Sequence, residues 1–510
     1  MMNRPSFYNI FQLFLESCKK HAKKLAIHIN EKDSSYEEFL LQVCSINKSI
    51  KSVDSKSDFI GIYCEDSVKT YSSIWAILST GKGYFPINKK WPTDRLIEVI
   101  ENSGIDLIVY EKGNEKLMEL KNHFENKINF ISTQSYDSST TEIAIPVIDV
   151  NSYAYLLYTS GTSGTPKGVA INHGNLSNLI SAHLLNKEYD LNSNDRILQM
   201  FELTFDFSVL PTLFSFCSGA QLFVVPENKM TYLQVLKTLS IHKITKAYLV
   251  PSVIHQLGTY YHQIHLPELK WSFFCGEALL NTDAENWKKC TPKGMIINSY
   301  GPTEATVYVT EFFVHNHEST QHKGIVALGR SINNMGTMLL NEKGEEITET
   351  DIEGELYLFG PQVANGYWKN EERTKECFRK IRTENYTGTA YKTGDICIKD
   401  KNDILFFVRR SDQQIKLNGY RIELNEIEFH ALQNHQVKRA IALLIPIMES
   451  SQIVLAIESE KENIEKEILQ YLQLKLPPYM LPQMIKVFKS LPLNENGKVD
   501  NHELISSFKK

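Results

Sequence analysis

The sequence holds no C-x-x-C pair and no paired cysteine spacing; its eight cysteines are scattered along 510 residues. That pattern speaks against a disulfide or zinc framework and suits free thiols in a reducing cytoplasm. No apolar run approaches the ~20 residues that span a bilayer. The first residues, MMNRPSFYNIFQLFLESCKKHAKK, lack the apolar stretch and small-residue cleavage site of a signal peptide. A cytoplasmic protein with no membrane partner is the expectation. An excess of positive charge is missing too: 55 Lys and Arg against 60 Asp and Glu give a net charge of −5, which argues against a nucleic-acid partner. There are no internal repeats. What remains, 42% apolar and 23% charged residues, is ordinary globular composition, and the length accommodates two or more domains.

A Walker phosphate loop is also absent, because Lys167 is followed by Gly168 rather than Ser or Thr. Yet YTSGTSGTPKG (158–168) is too rich in small polar residues to build core. Gly161, Gly164 and Gly168 allow close backbone approach. Thr159, Ser160, Thr162, Ser163 and Thr165 add hydroxyl donors, and Lys167 adds a charge suited to phosphate. The segment reads either as a flexible surface loop or as a phosphate cradle of another kind. SYAYLLYT before it and GVAIN after it read as strands, and HGNLSNLISAHLL then opens a helix. Phe7, Ile10, Phe11, Phe14 and Leu15 fit one face of an N-terminal helix, and STQSYDSSTTE (132–142) reads as an exposed loop.

Elsewhere, LQVLKTLSIHKITKAYLVPSVIHQL alternates helix, strand and helix, and MIINSYGPTEA is a strand running into a polar turn. This texture predicts α/β layering with mostly parallel strands. It changes near residue 404. Two strands with a polar break at Arg410–Asp412 lead into a hairpin at Asn418-Gly419. Helix, strand and helix follow, about a hundred residues of α+β that suit a separate small domain. The predicted fold class is α/β: a large multi-subdomain N-terminal domain (1–411) with mixed sheets and helices, and a small mobile α+β C-terminal domain (412–510).

Six segments in this order carry a resemblance: YAYLLYTSGTSGTPKGV (153–169), NSYGPTEA (298–305), GELYLFGPQVANGY (354–367), YKTGD (391–395), RRSDQQIKLNGYRIE (409–423) and NENGKVD (494–500). They resemble the core motifs of the adenylate-forming ligases, which include acyl-CoA ligases, luciferases and the adenylation domains of nonribosomal peptide synthetases. The resemblance covers nearly the whole chain. FDFS (205–208), FFCGEAL (273–279) and LPPYMLP (476–482) are similar to the amino-acid-activating branch, and FFCGEAL and YGPTEATV especially to stand-alone D-alanine–carrier-protein ligases.

The resemblance implies ATP and Mg²⁺ as cofactors. Residues 159 to 168, with Thr159, Ser160, Gly161, Thr162, Ser163, Gly164, Thr165 and Lys167 as the contacts, then cradle the β- and γ-phosphates. Gly276, Glu277, Ala278, Ser299 and Gly301 line the nucleotide site, Asn298 takes the adenine amino group, and Tyr300 stacks on adenine. Thr303 contacts the α-phosphate, Glu304 holds the metal, Asp395 accepts from the ribose hydroxyls, and Arg410 reaches ribose or phosphate. Lys498 is the catalytic lysine, bridging substrate carboxylate and α-phosphate. Asp412 is the hinge about which the small domain turns after the adenylate forms, presenting the hairpin around Lys416 to Gly419 for thioester formation. Arg409 stands where the family usually has glycine; it either shifts the hinge or lies in solvent.

Asp206 matches the partner of an α-ammonium group, which would offset the cost of a carboxylate in a partly apolar pocket. It also precedes an apolar helical run, as an N-cap would. The pocket carried over by resemblance is Phe207, Leu210, Tyr248, Phe273, Cys275, Ser299, Val307 and Tyr308. Four of these eight are aromatic, so a small side chain is expected: alanine first, then glycine, serine or proline. Cys275 matches the D-alanine ligases while Phe207, Leu210 and Tyr308 match them less well, so chirality stays open. The sequence shows no segment resembling a carrier domain, so the acceptor is expected to be a separate phosphopantetheinylated carrier protein. A D-alanine ligase for cell-wall polymers and a carboxylate–CoA ligase are the alternatives. A nucleotide sensor without catalysis would predict loss of Lys498, Glu304 or Asp395, and all three are present.

Overall fold

The computed structural model describes residues 7–134, 142–161, 164–226, 231–314, 321–383, 386–447, 450–493 and 499–509. It is a mixed α/β protein whose chain forms two compact units: 1–88, 103–157 and 168–411 in the larger, and 89–102, 158–167 and 412–510 in the smaller. Most of the loop expected at 132–142 lies outside the described residues.

Apolar runs such as Phe59–Cys64 and Trp271–Phe274 are almost wholly buried. Such runs suit parallel strands covered on both faces. The larger unit accordingly carries a nine-stranded sheet whose central strands Met295–Tyr300, Trp271–Phe274, Lys246–Leu249, Arg196–Gln199 and Gln221–Val224 run parallel. Antiparallel strands close both edges, Thr310–Val314 with Arg330–Ser331 on one side and Lys32–Ser35 on the other. A second sheet of six strands includes the parallel strands Phe59–Cys64 and Gly83–Asn88 and ends on Tyr153–Thr159 and Lys167–Asn172. A third, antiparallel sheet contains the long strand Thr387–Lys399, with Leu405–Arg410 beside it so that Asp395 faces Arg410.

The N-terminal helix spans Ile10–Lys20, with Ile10, Phe11, Phe14 and Leu15 buried. Phe14 stacks on Trp75 at 4.2 Å between ring centroids. Phe7 is not on that face. The Asn9 side chain caps the helix by accepting from Phe11 and Gln12 N–H groups, which starts the helix after Phe7 and leaves Phe7 exposed.

In the smaller unit, strands Gln414–Leu417 and Tyr420–Glu423 form a hairpin. Asn418 and Gly419 at its turn have φ of 52° and 82°, the left-handed pair that a two-residue turn of matching twist requires. Helix Leu424–Leu432 follows, then the antiparallel pair Arg439–Ile447 and Ser450–Glu458 with Met484–Phe488 parallel beside it. Ile422, Ile427, Ile453, Leu455, Ile468 and Leu472 fill this core. No helix among the described residues is long and apolar enough to cross a membrane.

Candidate active site

Strand Met295–Tyr300 brings three of the expected nucleotide-site residues into the larger unit's interior. Asn298 donates through Nδ2 to the Ala327 carbonyl at 2.8 Å, while its buried Oδ1 has no hydrogen-bond partner among the described residues. A buried acceptor left open in this way fits an amino group brought by a ligand. Ser299 donates to the Phe274 carbonyl at 2.9 Å. Tyr300 donates to Asp395 Oδ2 at 2.5 Å, and burial together with that carboxylate holds its phenol well above the usual range. Arg410 donates to Asp395 Oδ1 at 2.9 Å and to the Thr393 carbonyl at 2.8 Å. Tyr300, Asp395 and Arg410, distant in sequence, thus form one hydrogen-bonded group.

The turn after Tyr300 is tightly made. A Cβ on Gly301 would lie 2.4 Å from Tyr308 Cα, so no side chain fits. Glu304 is fully buried, and Tyr367 donates to its Oε1 at 2.6 Å. Among the described residues no group of three or more His, Cys, Asp or Glu is arranged to hold a metal. A single carboxylate nevertheless fits Mg²⁺, which keeps most of its coordination in water and phosphate oxygens. Gly276 turns the chain after strand Trp271–Phe274 with φ of 92°, Glu277 accepts from the Ser252 N–H at 2.8 Å, and Ala278 is exposed beside them.

Asp206 opens the short turn Asp206–Ser208, whose cap position is Phe205, and it caps no helix. Its Oδ2 instead accepts from Thr303 Oγ1 at 2.7 Å. The two side chains expected to meet the α-ammonium and the α-phosphate therefore touch. All eight expected pocket residues are buried, none more than 4% exposed. Phe207 lies 5.9 Å from Tyr248 and 6.1 Å from Phe273, and Phe273 lies 5.1 Å from Tyr308, between ring centroids. Leu210, Cys275 and Val307 belong to the same apolar cluster. Thr306 and Val307 have φ of 58° and 73°. That conformation is strained for β-branched residues. Gln362 supports it: its carbonyl accepts from Thr306 Oγ1 at 2.6 Å, and its amide donates to the Tyr308 carbonyl at 2.8 Å.

One pocket group escaped the sequence reading. His183, fully buried, bonds Tyr308 through Nδ1 at 2.9 Å and Tyr248 through Nε2 at 2.7 Å. Burial, with Lys246 adding to it, brings its pKa down to about 3, so the ring is neutral. The only local signal is a histidine inside the apolar run LISAHLL.

In the smaller unit, Gly161 and Gly164 shape the glycine-rich loop. A Cβ on Gly161 would sit 2.0 Å from the Thr165 carbonyl oxygen, and Gly164 has φ of 81°. Thr162, Ser163 and Lys498 lie outside the described residues. The loop's donors face acceptors on the chain around helix Leu424–Leu432. Ser160 donates to the Arg421 carbonyl at 2.8 Å, the Gly161 N–H to Glu426 Oε2 at 3.0 Å, and Lys167 Nζ to Glu423 Oε1 at 3.2 Å. Thr159 Oγ1 closes the loop on the Lys167 carbonyl at 3.4 Å. Arg95 Nη1 meets Glu426 Oε1 at 2.5 Å, both side chains buried. Burial lowers the Arg95 pKa, but Glu426 outweighs it and the net shift is upward. Carboxylates thus stand where the loop would hold another anion. Asp412 accepts from the Gln414 N–H at 3.2 Å. In the larger unit, Arg409 forms an exposed pair with Glu353 at 3.2 Å.

A family model described as AMP-binding enzyme matches residues 14–368. Zwittermicin A synthase ZmaJ of Bacillus cereus is 29% identical over 505 residues, 97% of this chain and 94% of that protein. Surfactin synthase subunit 2 of Bacillus subtilis (strain 168) is 30% identical over 456 residues, 88% of this chain but 12% of that protein's length. The structure of the Vibrio cholerae adenylation domain AlmE in complex with glycyl-adenosine-5′-phosphate matches with a TM-score of 0.85 at 27% identity, covering 98% of this chain and 97% of that one. The chain therefore belongs to the AMP-binding enzyme family, as an AMP-forming adenylating ligase built like the adenylation domains of nonribosomal peptide synthesis.

Proposed function

We propose that the protein activates a small amino acid, glycine or alanine, as its aminoacyl-adenylate and then passes the acyl group to the phosphopantetheine thiol of a carrier protein. The observation that carries this reading is the Asp206–Thr303 hydrogen bond at 2.7 Å, which joins an ammonium acceptor to the turn after the nucleotide strand. The closed aromatic wall behind it supports a substrate with little or no side chain. The glycyl-adenylate bound by AlmE points the same way.

In the first step the substrate carboxylate attacks the α-phosphorus of ATP and the bond to pyrophosphate breaks. Asp206 holds the substrate ammonium and Thr303 the α-phosphate. Asn298 Oδ1 accepts from the adenine amino group, Tyr300 packs on the base, and Asp395, steadied by Arg410, takes the ribose hydroxyls. Glu304 would hold Mg²⁺, which would supply charge neutralisation at the phosphates when bound. Lys167 and the loop amides receive the leaving pyrophosphate, while Lys498 offsets the charge of the two anions as they meet. No protein nucleophile is needed, because position and charge do the catalysis. In the second step the carrier thiolate attacks the acyl carbonyl and AMP leaves. Residues 1–411 act as the ATP- and substrate-binding domain and 412–510 as the mobile lid, turning at Asp412.

The test is pyrophosphate exchange across glycine, both alanine enantiomers, larger amino acids, and fatty and aryl acids. Exchange with glycine or alanine is expected, and its loss in Lys498→Ala. Exchange driven only by acids lacking an amino group, or a Lys498→Ala enzyme as active as wild type, would overturn the proposal.

A further inference from the structure

We infer that His183 is a positioning residue for substrate selection: it locks Tyr248 and Tyr308 into the side-chain pocket and thereby restricts the enzyme to the smallest amino acids. This rests on the amino-acid reading above and names the group that enforces its size limit.

His183 arrives in the pocket by a local irregularity. Helix His173–Leu179 widens into a π-helical turn over Ile180–Leu184, and His183 lies in that turn. Such turns are rare and redirect side chains relative to a regular helix. The imidazole then stacks on Tyr189 at 4.4 Å and stands edge-on to Phe273 at 5.1 Å between ring centroids. Its two nitrogens reach the two hydroxyls at 2.9 and 2.7 Å.

The chemistry of the ring makes this arrangement discriminating. A neutral imidazole has one N–H and one lone pair. It therefore donates to one tyrosine hydroxyl and accepts from the other, and both are satisfied although all three side chains are fully buried. A phenol buried without a partner is unfavourable, so each ring has one well-defined position while His183 is present. From Asp206 the path to the histidine is continuous: Phe207 packs on Tyr248 and Phe273, and both of those rings lie against His183. Tyr189, stacked on the other side of His183, donates to Glu311, which braces the far side. The walls cannot retreat to admit a longer side chain unless these bonds break.

Deleting the imidazole opens space and frees both phenols to turn. A pocket that excludes a methylene group discriminates by roughly 10- to 200-fold. In pyrophosphate exchange, His183→Ala is therefore expected to lower the ratio of kcat/KM for the preferred small amino acid over that for L-valine by at least about tenfold. The change should appear in the amino-acid KM, with the KM for ATP unmoved. His183→Gln, which keeps one donor and one acceptor, should restore part of the ratio. A His183→Ala enzyme with wild-type ATP KM and wild-type selectivity would overturn the inference. If that variant does not fold, Tyr248→Phe and Tyr308→Phe each remove a single hydroxyl and are read the same way; unchanged selectivity in both would overturn it equally. A wild-type enzyme that exchanges with no amino acid would remove the underlying reading, whereas one that selects glycine or alanine while all variants keep that selectivity removes only the role of His183.

Discussion

Glu311 offers a pH-dependent test of the wall behind the pocket. It lies on strand Thr310–Val314, between Ser299 on one neighbouring strand and Arg330 on the other, and accepts from the Tyr189 hydroxyl. Burial pushes its pKa from the ordinary 4.5 up to about 7, with Glu188 adding to the rise and the Tyr189 bond opposing it. Below pH 4.5 folded and unfolded chains both hold the proton. Between 4.5 and 7 the folded chain holds more, so stability falls as pH rises through that window and stays lower above it. At about 1.36 kcal/mol per pKa unit, the loss is about 3 kcal/mol. Unfolding entropy near 2.1 cal/mol/K per residue, over a unit of nearly four hundred residues, makes this about 4 °C in Tm. Glu311→Gln cannot ionise. About a quarter of the loss is already present at pH 5, where the unfolded carboxyl is largely ionised, so the variant's Tm relative to wild type should be about 3 °C higher at pH 8 than at pH 5, whatever constant offset the amide introduces. Differential scanning calorimetry at the two pH values reads this double difference directly. A difference independent of pH, or one of opposite sign, would refute the reasoning.

Arg95→Met leaves Glu426 buried with its strongest partner gone, which costs about 3–5 kcal/mol; chemical denaturation should show an earlier transition, and Arg95→Met with Glu426→Gln should recover much of the loss. Asn298→Ala removes the open acceptor, so calorimetric titration should show ATP binding weakened by roughly tenfold, the value of one buried hydrogen bond at ~1.4 kcal/mol, with GTP binding less affected. Arg409→Gly deletes only an exposed pair, worth at most about 1 kcal/mol, and should leave Tm and exchange rate near wild type. Asp206→Asn keeps the Thr303 hydroxyl bonded but removes the negative charge, so the amino-acid KM should rise at least tenfold, by the arithmetic of losing a charge-assisted bond of ~1.5–3 kcal/mol, while the KM for ATP holds.

Much of this protein was legible from local pattern. The strands flanking 158–168, the Asn418-Gly419 turn and the helix–strand–helix run through Lys246–Leu249 follow from periodicity and turn chemistry, which neighbouring residues decide. Apolar spacing alone extends the helix face back to Phe7, whereas the Asn9 cap starts the helix at Ile10. Which polar groups meet inside the fold is a different matter. His183 and Tyr308 are 125 residues apart, Lys167 and Glu423 are 256 apart, and Asp206 and Thr303 are 97 apart. A sequence prescribes that a buried imidazole or carboxylate needs a partner, since desolvation leaves it no alternative. Only the packing of distant elements decides which partner that is, and here that choice closes the pocket.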